Sequence, residues 1–211
     1  DLVFFITGER ASASWVAWAK PCIVLSSTGR AIAGQINFNL NYIVSSSDAE
    51  FEKDMMVTMH EMTHVLGISQ SLFPKYLNIP KQSYVTANGI RTPYISVSPL
   101  TEMVREHFGC SNAVGALLEN QGGSGSAGSH FERRVFMNEY MTASATQDMR
   151  ATKFTLALLE GSGWYQVNYA MADPFYWGKD EGCSFITGSC KSGGFDEFCT
   201  SMRSAGCNYH R

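Results

Sequence analysis

Apolar side chains recur at Phe51, Met55, Met59, Met62 and Leu66, the spacing of a single helical stripe. The pattern predicts a long amphipathic helix with that stripe turned toward a core. Ser47 with Glu50 three residues on supplies a capping box at its start, and Gly67 stands where a left-handed residue would end it. Two upstream stretches read as strands. Leu2 to Thr7 is an apolar run, and from Ile32 to Asn41 the side chains Ile36, Phe38 and Leu40 alternate with Gln35, Asn37, Asn39 and Asn41. That alternation predicts a strand with one wet face. Ser98 to Gly109 has a serine cap, a proline in its first turn and a glycine stop, so a short helix is expected there. Ser144 with Gln147 opens a second long helix ending near Gly161, with Phe154, Leu158 and Leu159 packed beneath any site. From Trp164 on the chain is loop-rich.

Composition narrows this picture. With 211 residues, 45% hydrophobic and 17% charged, the chain can bury one good core with an embedded subdomain. A net charge of −3 argues against nucleic acid or an anionic membrane as the main partner. No apolar run approaches the ~20 residues that cross a bilayer. No signal peptide precedes Asp1, so the chain reads as mature or truncated, with any anchor outside it. None of the six cysteines forms a Cys-x-x-Cys pair, and Cys183, Cys190, Cys199 and Cys207 crowd a Gly- and Ser-rich end that needs covalent staples. Disulfides imply an extracellular or cell-surface setting.

Candidate chemistry lies on the first helix. His60-Glu61-Met62-Thr63-His64 puts two imidazoles four residues apart on one helical face, off the apolar stripe, with a carboxylate between them. Histidines at that spacing grip one zinc ion, and the glutamate serves as general base toward its water. A catalytic zinc needs a third protein ligand. Gln70 occupies the next position in the run but is a poor ligand, so the third must come from further on. His130 closes the flexible run Gly122 to Ser129 and could be brought back to the helix. His107, Glu102, Glu106 and His210 are rivals. His107 reads most simply as a partner for the C-terminal end of its own helix. Met141, in Asn138-Glu139-Tyr140-Met141-Thr142-Ala143, fits a methionine turn beneath the metal.

These residues together resemble a family, the leishmanolysins, surface zinc peptidases of the metzincin clan. The resemblance spans nearly the whole chain. It rests on Val16-Ala17-Trp18-Ala19 with Cys22, His60 through Ser69, and Val104-Arg105-Glu106-His107-Phe108-Gly109-Cys110. Gly125-Ser126-Ala127-Gly128-Ser129-His130, Asn138-Glu139-Tyr140-Met141 and Trp177-Gly178 before Cys183 complete it. It implies an α+β, metzincin-like domain: a twisted mixed sheet with an active-site helix, a subdomain inserted before the third histidine, and a disulfide-rich, loop-rich C-terminal part. The expected divisions are 1–70, an insertion at 71–121, the third-ligand loop with the methionine turn and helix at 122–164, and a Cys-rich region at 165–211. The resemblance implies His60, His64 and His130 as ligands of one Zn2+, Glu61 as general base, Met141 as the methionine-turn residue, and a Cys110–Cys183 disulfide. Many members carry Leu-Met-Ala-Pro where this chain has Tyr140-Met141-Thr142-Ala143.

The implied activity is hydrolysis of protein or peptide substrates by an endopeptidase; the contrasting reading is a catalytically idle surface or adhesion module that keeps the fold. Metzincins pair the substrate backbone with an edge strand, so the Ile32–Asn41 strand, with Gln35 and Asn37, is the candidate for that contact. Thr142, Ala143 and Ser144 are expected to line a roomy apolar pocket after the scissile bond. Further segments of a longer protein are expected to pack on the N-terminal strand.

Overall fold

The computed structural model describes residues 1–43, 45–75, 83–87, 89–189 and 194–199. Three strands form the first sheet: β1 (Val3–Glu9), β2 (Ala17–Val24) and β3 (Ala31–Asn39), in the order β1-β3-β2. β1 runs parallel to β3 and β2 antiparallel to it. The sheet is therefore mixed, and β3 is its centre, with both edges used. The strand expected to offer a free edge to substrate has none.

The wet face expected for β3 is also absent. Asn37 and Asn39 are buried because their amides have fixed partners. Asn37 accepts from Thr7 Oγ1 and donates to Glu9, both at 2.8 Å. Asn39 donates to the carbonyls of Ala11 and Trp15 at 3.1 and 3.2 Å and accepts from the Ala11 N–H at 3.2 Å. The polar alternation marks an amide clamp on the loop between β1 and β2, because a buried amide must be hydrogen-bonded.

Helix α1 (Asp48–Leu66) packs on β2 and β3. Ser47 Oγ accepts the Glu50 N–H at 3.3 Å, while the Glu50 carboxylate reaches the Ser46 N–H at 3.1 Å, so the capping box closes one residue early. Gly67 ends the helix with φ 175°, an extended conformation and not the left-handed stop expected. The apolar stripe faces outward: Phe51, Met55 and Met59 are 59%, 46% and 37% exposed. Val57, Glu61, His64 and Val65 form the buried face instead. Both faces carry apolar residues, and contact with the sheet selects the one that also carries the histidines.

Gly34 of β3 is where the helix comes closest. A Cβ there would lie 2.3 Å from Val65 Cγ1. Gly34→Ala should therefore overpack the helix–sheet contact and lower stability by about 1–3 kcal/mol, read as a lower urea midpoint.

A second sheet, β4-β5-β6, follows the helix: β4 (Ser83–Ala87), β5 (Ile90–Ile95) and β6 (Ala116–Leu117), antiparallel throughout. Between β5 and β6 lies α2 (Ser98–Phe108), with Pro99 in its first turn and Gly109 at φ 64° after its end. A disulfide joins Cys110, just beyond α2, to Cys183 at the start of α5 (Cys183–Thr187). Among the described residues Cys22 and Cys199 have no disulfide partner, and both are exposed; Cys190, Cys207 and His210 lie outside the described residues.

After the short α3 (Arg133–Phe136), helix α4 spans Lys153–Gly161, with Thr152 as its cap. It does not begin at Ser144. The preceding segment pairs with the methionine turn: the Arg150 N–H donates to the Asn138 carbonyl at 2.7 Å, and the Tyr140 N–H to the Arg150 carbonyl at 2.9 Å. Backbone groups committed to that pairing cannot also close helical turns. Phe154, Leu158 and Leu159 are buried as expected.

Candidate metal centre and cleft

α1 sets His60 and His64 one turn apart, and the loop from Glu119 to His130 returns a third imidazole to them. That loop is pinned where it closes: the Glu119 N–H donates to the His130 carbonyl and the Gly128 N–H to the Glu119 carbonyl, both at 2.8 Å. His130 Nε2 lies 3.1 Å from Nε2 of both His60 and His64, and those two atoms are 3.0 Å apart.

Each ring's other nitrogen meets a backbone carbonyl. Nδ1 of His60 is 2.6 Å from Tyr140 O, Nδ1 of His64 is 2.6 Å from Ile68 O, and Nδ1 of His130 is 2.9 Å from Ser126 O. A carbonyl only accepts, so these contacts assign the proton to Nδ1 in every ring. Three bare Nε2 lone pairs then point at one another. Such an arrangement repels itself unless a cation sits between, and tetrahedral ligands about 2.0–2.1 Å from zinc stand about 3.3 Å apart, close to the spacing here. Among the described residues this is the one group of three such side chains arranged to hold a metal ion.

Burial shapes the charge states. Burial, with the facing rings of His64 and His130, holds His60 well below the usual imidazole range. Burial and the His130 ring push His64 down to about 3, and burial lowers His130. The rings are kept neutral, as ligands must be. Burial raises Glu61 to about 8; it is 5% exposed and its Oε2 has no hydrogen-bond partner among the described residues. A divalent cation nearby would favour its ionised form.

All four side chains line a cleft of about 930 Å³. Trp15 to Ala19 form one wall, the Gly122–Ser129 loop contributes another, and Thr142, Ala143 and Ser144 line it too. Met141 is fully buried in the turn whose Tyr140 carbonyl holds His60. The Thr142 N–H and hydroxyl both bond the Glu139 carbonyl, at 3.0 and 2.9 Å, so the turn closes without a proline.

The leishmanolysin family model, Peptidase_M8, matches residues 1–211. The chain belongs to the leishmanolysin family. It is 34% identical to a leishmanolysin-like peptidase of Drosophila melanogaster, over 90% of this chain and 34% of the relative. A leishmanolysin-like peptidase of Caenorhabditis elegans is 30% identical, over 90% and 35%. Leishmanolysin of Leishmania tropica is 30% identical, over 99% and 30%. The chain spans about a third of the length of these relatives.

In this leishmanolysin-family chain the rival ligands among the described residues lie apart from the cluster. His107 Nε2 contacts the Trp177 carbonyl at 3.0 Å, and its ring packs against Phe108, Phe154 and Phe175. Glu102 and Glu106 are exposed. Gln70 lines the cleft, whereas Gln35 and Asn37 do not. Sequence reasoning missed β2, whose residues Ala17 to Ala19 line the cleft. Its apolar run is broken by Lys20 and Pro21, and proline is tolerated on an edge strand. It also missed the buried carboxyl of Glu139, whose one sequence signal is an acidic residue between Met137 and Met141.

Proposed function

We propose that this chain is the catalytic part of a zinc-dependent endopeptidase with a metzincin-type site. The convergence of three Nε2 atoms within 3.1 Å of one another, each ring oriented by a carbonyl, carries the reading. Zinc bound by His60, His64 and His130 would supply an activated water and polarise the scissile carbonyl. Glu61, at the same cleft, takes the water's proton and passes it to the leaving nitrogen. The turn that carries Met141 supports the His60 ring through the Tyr140 carbonyl.

The substrate backbone adds to β2, which pairs on one side with β3 and borders the cleft on the other. Thr142, Ala143 and Ser144, all small, form the pocket after the scissile bond. Residues 71–121 act as the inserted unit that carries the chain from α1 to the His130 loop. The Cys110–Cys183 disulfide supports a secretory or cell-surface setting. No helix among the described residues is long and apolar enough to cross a membrane. An idle surface module would have no use for a buried carboxyl oxygen, Glu61 Oε2, left without a hydrogen-bond partner among the described residues beside three bare imidazole nitrogens.

A dye-quenched peptide library incubated with and without a zinc chelator tests the function. Cleavage abolished by the chelator and restored by zinc is the expected result; cleavage that persists in chelator contradicts it.

A further inference from the structure

Glu139 is fully buried, yet among the described residues it has no ion-pair partner. A buried carboxyl without a counter-ion is costly, and a leucine would fill the same space more favourably. What distinguishes this side chain is what it holds. One carboxyl oxygen accepts the Met141 N–H at 2.5 Å; the other accepts the hydroxyls of Thr155 at 2.6 Å and Thr152 at 3.3 Å. The backbone of the same residue is fixed as well, its N–H on the Phe136 carbonyl at 2.8 Å and its own carbonyl on the Thr142 N–H at 3.0 Å.

These bonds grip the chain on both sides of Tyr140, whose carbonyl accepts the hydrogen bond from His60 Nδ1–H. The Tyr140 phenol meets Thr63 Oγ1 of α1 at 2.9 Å, which ties the same turn to the metal-bearing helix a second time.

We propose that Glu139 is a positioning residue for the metal centre: its carboxyl anchors the methionine turn to α4, so that the Tyr140 carbonyl sets the tautomer and direction of His60. It rests on the reading of His60 as a ligand. Partners that orient a ligating histidine typically govern metal affinity by about 10–100-fold. A role confined to stability would lower the melting temperature and leave the affinity of the folded chain for zinc unchanged.

Glu139→Gln and Glu139→Met separate the two roles, because the side chains are similar in size and only glutamine can accept the Met141 N–H. Zinc affinity of the full chain is measured by competition with a chromophoric chelator, and melting temperature on the metal-free protein. E139M should bind zinc at least about tenfold more weakly, while E139Q should stay within about threefold of wild type. Thr155→Val, which removes the 2.6 Å hydroxyl and keeps the shape, should weaken zinc about threefold, and it decides the matter if E139M does not fold. Wild-type affinity in E139M, or in T155V where E139M is unfolded, overturns the positioning role. A wild-type chain that takes up no zinc overturns the ligand reading and this role together.

Discussion

Glu61→Gln should leave zinc bound and lower peptide cleavage by at least about a hundredfold. The substitution keeps the length and shape of a side chain that is 5% exposed, so α1 and its packing on β2 and β3 should be undisturbed. It removes the basic oxygen proposed to take the proton from water, and an amide cannot hand that proton on to the leaving nitrogen. None of the three imidazoles bonds Glu61; each is oriented by a carbonyl of Tyr140, Ile68 or Ser126. In the proposed mechanism metal binding and base catalysis therefore rest on different atoms. Zinc content by elemental analysis beside the cleavage rate reads both. Loss of zinc from the glutamine variant would mean that Glu61 serves as a ligand.

His130→Ala should lose metal and activity together. Two histidines one helical turn apart hold zinc poorly, and the third nitrogen arrives from a separate loop. Cleavage should fall to background, with zinc well below one ion per chain after dialysis. His107→Ala serves as the control. Its ring is wedged among Phe108, Phe154 and Phe175, so the variant should melt earlier and keep zinc. If His107→Ala strips the metal while His130→Ala retains it, the ligand set proposed here is wrong.

Local chemistry was legible in the sequence wherever it depended on spacing. His60 and His64 sit four apart on a helix, and no fold changes that geometry. His130 needed more, because a glycine-rich run says that the chain can turn back but not where it goes. The family resemblance supplied that, as it supplied Cys110 with Cys183. Periodicity misled where two faces competed. Phe51, Met55 and Met59 make the better apolar stripe, yet α1 buries Val57, Glu61, His64 and Val65 because the sheet lies on that side.

The asparagines of β3 misled for a related reason. Polar residues alternating along a strand read as solvated, but Asn37 and Asn39 spend their hydrogen bonds on Thr7, Glu9 and the loop into β2. Strand order is a long-range property, and nothing local to Gln35 or Asn37 could say that β3 lies between two neighbours. Ser144 with Gln147 is a correct helix-start pattern, but the segment runs on to Arg150, whose backbone is paired with Asn138 and Tyr140. In each case tertiary hydrogen bonding overrode a sound local signal.

The central claim is that His60, His64 and His130 together hold one zinc ion that leaves a position open to water. X-ray absorption at the zinc edge, recorded on the full chain purified with its metal, tests it most directly. The account predicts three imidazole nitrogens and one further oxygen at about 2.0–2.1 Å. A sulfur scatterer at about 2.3 Å, placing the metal on cysteine, or a shell with fewer than three imidazoles, would contradict it.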